Sequence, residues 1–177
     1  MLGASVEAIT GRLGVGAITF LACFLVADGQ QVGVFELVEL YGKSASFGIV
    51  IALPTAVVTY VLGVITVSLA DLIYLPVSAL APLSAYHVRI VSVRGGALLQ
   101  QLFLENLRNF ELLKGASVAF LLLSIGCLAE RPNMPSMAIV GGATFGAMAL
   151  AALSLTFALR SRAHALSLSA HAEAENA

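Results

Sequence analysis

Apolar residues fill four stretches of this chain so completely that the polar positions read as interruptions. Residues 47–69 and 137–159 contain no formally charged side chain. At 1.5 Å of rise per residue each makes a helix about 35 Å long, which crosses a hydrocarbon core about 30 Å thick with some tilt. Residues 8–27 form another such stretch, whose one charge, Arg12, stands near its start where a long side chain reaches the headgroups. Residues 112–129 are the shortest, reaching spanning length when Leu112, Leu113 and a snorkelling Lys114 are counted. The pattern predicts an all-α integral membrane protein: a four-transmembrane-helix up-down bundle, one membrane domain over 1–177, with a cytoplasmic loop over 70–115 and a cytoplasmic tail over 160–177.

The connections differ in character. Residues 28–46 interleave Val, Leu and Phe with Glu36, Glu39 and Lys43, which predicts a helix lying in the interface. Residues 72–86 are apolar but broken by Pro76 and Pro82, so they lie along the interface or dip part-way in. After Gly95-Gly96, Leu99, Leu102, Phe103, Leu107, Phe110 and Leu113 recur at three- and four-residue steps. The opposite face carries Gln100, Gln101, Glu105, Arg108, Asn109 and Glu111, and Glu111 stands three residues before Lys114. One amphipathic cytoplasmic helix leading into the third span is therefore expected. Residues 130–136 read as a proline-set turn that makes the last two spans antiparallel, with Ser136 capping the fourth.

Orientation follows from the basic residues. With alternating spans, Arg12, Arg89, Arg94, Arg108, Lys114, Arg160 and Arg162 share one face, against Lys43 and Arg131 on the other. The positive-inside bias then puts both termini in the cytoplasm of a bacterium-like cell, with the chain multi-pass in the inner membrane. Glu7 and the poor match of Leu25-Val26-Ala27 to a small-residue cleavage site argue against a cleaved signal peptide.

Composition narrows the function classes. Charged residues make up 11% of the chain, hydrophobic residues 59%, and the formal net charge is −1, too little charge to solvate a globule and no basic surface to track phosphates. Nucleic acid is thus excluded as a partner. Two Cys, near the outer ends of their spans, and three scattered His give neither a disulfide framework nor a metal-ligand spacing, so no metal or cofactor is expected. No phosphate loop, nucleophile elbow or paired intramembrane acid and base is present, and no enzymatic activity is expected.

Three residue sets remain. Ala138, Gly142, Gly146, Ala149 and Ala152 make a stripe of small residues on the fourth span, suited to close helix packing within the bundle or to homo-oligomerisation. Glu105, Arg108 and Glu111 offer a charged face for docking a cytosolic protein. Pro54 bends the second span beside Thr55 and Thr59, with Thr66 and Ser68 further along and Asp71 at its inner end, as a pore or gate would require. The first reading is a non-enzymatic oligomeric subunit that anchors, senses or scaffolds for a cytosolic partner. By analogy of layout alone this suggests a membrane sensor in bacterial antiviral defence or stress signalling. The alternative is a small oligomeric ion channel or transporter subunit.

Overall fold

The computed structural model describes residues 2–30, 45–75, 91, 97–130 and 135–175. Four long helices account for nearly all of them: α1 (Leu2–Gln30), α2 (Ala45–Ile73), α3 (Ala97–Ala129) and α4 (Pro135–Glu175). Each contains a segment long and apolar enough to cross a membrane, and no strand occurs among the described residues. The sequence of α2 is rich in Val, Ile and Thr, residues that disfavour helices in water. In lipid the balance changes, because only a helix satisfies every backbone group within its own segment.

Side-chain hydroxyls follow the same rule. Thr19, Thr66, Thr144 and Thr156 each donate back to the carbonyl four residues earlier, and Ser117, Ser154, Ser161, Ser167 and Ser169 to the one three residues earlier. These local bonds let polar residues sit in apolar helices without an unmet donor.

α3 is the hub, packing against all three other helices, most extensively against α4 and only briefly against α2. Gly11 meets Leu112, Val15 meets Gly115 and Ala22 meets Gly126, so α1 and α3 run in the same sense. Along α4 the order reverses: Cys127 meets Gly141, Phe120 stacks with Phe145, and Arg160 lies over Phe110. Ala163 packs with Phe103 further on, so α3 and α4 are antiparallel over their whole length.

The pair α1 and α2 departs from the expected alternation. Arg12 Nη1 donates to Tyr60 Oη at 3.4 Å, Gly16 faces Gly63, and the hydroxyls of Thr19 and Thr66 are 3.0 Å apart. Position numbers rise together through this contact, while Val67 and Asp71 further along α2 reach Gly115 and Lys114 on α3, level with Val15 and Gly11 of α1, so α2 crosses the other two steeply and an up-down order is not seen in this pair. The cause is local packing. A Cβ on Gly16 would overlap the Thr59 carbonyl oxygen, and one on Gly63 would overlap that of Arg12, so each backbone rests directly on a turn of the other.

Element ends also shift. α1 continues past the apolar stretch of residues 8–27, through Asp28 and Gly29 to Gln30. α4 opens with Pro135 in its first position, which suits proline's fixed φ and missing donor, so Ser136 lies inside the helix and does not cap it. α3 is one unbroken helix from Ala97 to Ala129. The expected interfacial helix with Glu36, Glu39 and Lys43, the segment with Pro82, and residues 131–134 of the proline-set turn lie outside the described residues.

Candidate functional site

The polar chemistry of the molecule gathers at one end. Among the described residues the Lys and Arg side chains, Arg12, Arg108, Lys114, Arg160 and Arg162, all stand where α1 and α3 begin and α4 finishes. Lys114 is the centre of the group. Its side chain is only 3% exposed, and its ammonium donates to Asp71 from α2 and to Glu111, one turn back on α3, at 2.5 Å. Both carboxylates face outward, at 64% exposure for Asp71 and 49% for Glu111. An ammonium taken this far from water needs such partners, because a buried unpaired charge is strongly disfavoured.

Aromatic and hydroxyl groups complete the arrangement. The buried Phe110 ring has the Lys114 ammonium 5.4 Å and the Arg160 guanidinium 5.3 Å from its centroid, within cation–π range. Ser117 Oγ donates to the Lys114 carbonyl at 2.8 Å, so its single proton is committed and Tyr74 Oη must donate to it, at 2.8 Å. The chain from Tyr74 through Ser117 fixes the turn of α3 that carries Lys114.

Below this group, α3 and α4 continue as a pair. Between them lies a groove of about 660 Å³ with Leu102, Leu159 and Leu166 on its apolar side and Glu105, Asn109 and Arg162 among its polar residues. Phe103 and Val91 are almost fully buried against Ala163 beneath it, giving this part of the pair its own apolar core.

The structure sorts the residues singled out from the sequence. Glu105 lines the groove, Arg108 is exposed, and Glu111 belongs to the Lys114 group, so these three are shared between two features. Ala138, Ala149 and Ala152 are buried; Gly142 accommodates Leu128 and its carbonyl accepts a 2.7 Å bond from Ser124 Oγ. A Cβ on Gly146 would stand 3.4 Å from Ser124 Oγ, so Gly142 and Gly146 both abut α3 of the same chain. Pro54 lies on the exposed surface, with α2 helical on either side of it, and Thr55 is half-buried. Thr59 is buried against Gly16, Thr66 is bonded to Thr19, and Ser68 is exposed.

Sequence reasoning missed two relationships. Gly16 and Gly63 gave no signal because glycines in apolar helices do not alter hydropathy; Asp71 and Lys114 were noticed separately but nothing local joins them. Cys23 is exposed and Cys127 packs under Gly141; both are free thiols. No group of three or more His, Cys, Asp or Glu among the described residues is arranged to hold a metal ion. No protein-family model, curated protein or solved structure matches this chain.

Proposed function

We propose that this chain is a non-enzymatic subunit of the cell inner membrane that anchors a cytosolic protein on the projecting ends of α3 and α4, with both termini cytoplasmic. One observation carries the reading: α3 has 33 residues and α4 has 41, about 50 and 60 Å of helix, against about 30 Å of hydrocarbon. The excess lies at the end where the basic side chains collect, which the positive-inside bias assigns to the cytoplasm. Because α1 begins and α4 finishes at that end, the two termini share it.

The projecting part of α3 is amphipathic on this reading. Phe103 and Phe110 turn inward while Gln101, Glu105 and Arg108 are exposed. Glu105, with Asn109 and Arg162, lines an apolar-sided groove of a size that takes a partner's side chains.

Affinity capture of the full-length protein from its own membranes tests this. With Glu105→Arg and Arg108→Glu together, a specific soluble protein recovered with the wild type is lost, while carbonate-resistant membrane insertion is unchanged. Recovery of the same protein at wild-type level from the double variant overturns the proposal.

A further inference from the structure

A second cavity lies higher up, between the end of α2 and the middle of α3 and α4. It is a slot of about 190 Å³ with walls from Tyr74, Val118, Leu121, Ala149 and Leu153. Its lining is apolar in effect, since the one hydroxyl on α3, Ser117 Oγ, is already engaged by Tyr74 and the Lys114 carbonyl. The space exists because Gly146 and Ala149 present little or no side chain on the α4 wall.

The slot has a polar end. Asp71 precedes Tyr74 by one turn on α2, and Lys114 precedes Val118 by one turn on α3, so the salt-bridged group stands at the end nearest the basic residues. An apolar channel at membrane depth with a charged group at its interfacial end has the polarity of a lipid. The charge on offer selects among lipids. Lys114 is 3% exposed and already ion-paired with two carboxylates, so its ammonium is closed to a phosphate arriving from outside. Arg160 lies over the Phe110 ring. What the group presents outward are the carboxylates of Asp71 and Glu111, of which Asp71 is the more exposed and stands one turn from Tyr74 in the slot wall.

We propose that this slot binds a phospholipid with a primary-amine headgroup, its acyl chain between Tyr74 and Ala149 and its ammonium donating to Asp71. Such binding requires the helices to sit in a bilayer but no soluble partner, so it stands or falls separately from the capture experiment above.

Native mass spectrometry of the full-length protein, with acyl-matched phosphatidylethanolamine and phosphatidylglycerol supplied in equal amounts, is the test. A charge-assisted hydrogen bond corresponds to a preference of about tenfold for the ethanolamine lipid. Asp71→Asn abolishes the preference, Asp71→Lys reverses it toward the glycerol lipid, and Ala149→Leu reduces retention of both. Asp71→Asn keeps an acceptor oxygen for Lys114 beside the Glu111 carboxylate, and carries the test even where Asp71→Lys or Ala149→Leu perturbs packing. Equal retention of the two lipids by the wild type, or an undiminished preference in Asp71→Asn, overturns the assignment.

Discussion

Gly16 and Gly63 lie back to back where α1 crosses α2, each seated on the carbonyl turn of the other helix. Gly14, two residues from Gly16, has nothing within 4 Å of where its Cβ would be. The three glycines therefore make a controlled comparison. Gly16→Ala and Gly63→Ala should each destabilise the protein by about 1–3 kcal/mol through overpacking. Gly14→Ala should be neutral or slightly stabilising, since Ala is the better helix former by about 1 kcal/mol. Unfolding of the purified protein in mixed micelles measures all three, and equal effects would contradict the crossing.

The Lys114 group makes a prediction about removal and rescue. Lys114→Met leaves the Asp71 and Glu111 carboxylates facing one another without their shared cation. Both are substantially exposed, so the loss is set at about 1–2 kcal/mol, less than for a wholly buried pair. Adding Asp71→Asn and Glu111→Gln to Lys114→Met should recover part of it, because the repulsion goes with the charges. If the triple variant is less stable than Lys114→Met alone, the carboxylates have another role in folding.

Thr19 and Thr66 have two hydroxyl protons between them for three bonds: one to each other, and one each to the carbonyls of Val15 and Leu62. Only two of the three bonds exist at any moment. Thr19→Val or Thr66→Val alone should thus cost about 0.6 kcal/mol, the usual value of an interhelical hydrogen bond in a membrane. The double variant should cost clearly less than the sum of the two singles. Strict additivity in a double-mutant cycle would show that the hydroxyls do not interact.

Gly142 is filled by Leu128 and bonded through its carbonyl to Ser124, both on α3 of the same chain. Gly142→Leu should accordingly loosen the α3–α4 pair, lowering stability by about 1–3 kcal/mol, and should leave the mass of the detergent-solubilised particle unchanged. A fall in particle mass without loss of stability would place Gly142 in a contact between protomers instead.

These cases show what the sequence made legible. The four helices were readable because a membrane span depends on the sum of local apolarity, and the last two could be set antiparallel because a short turn joins them. The direction of α2 against α1 was not readable: it rests on Gly16 meeting Gly63, far apart in sequence and silent in hydropathy. The Lys114 group was half readable. Its contact with Glu111 is one helical turn, whereas Asp71 arrives from another helix. The stripe on α4 announced close packing, but spacing alone does not say which helix fills it, and Leu128 and Ser124 on α3 do.

The length of α4 has a mechanical consequence. It is one continuous rod of about 60 Å, anchored in the apolar zone over its first part and bearing one wall of the lower groove on its last. With no break between the two parts, a change of tilt of about 10° about the far end carries the other tip sideways by about 10 Å. Any reorientation of that rod therefore moves Arg162 and its neighbours with it.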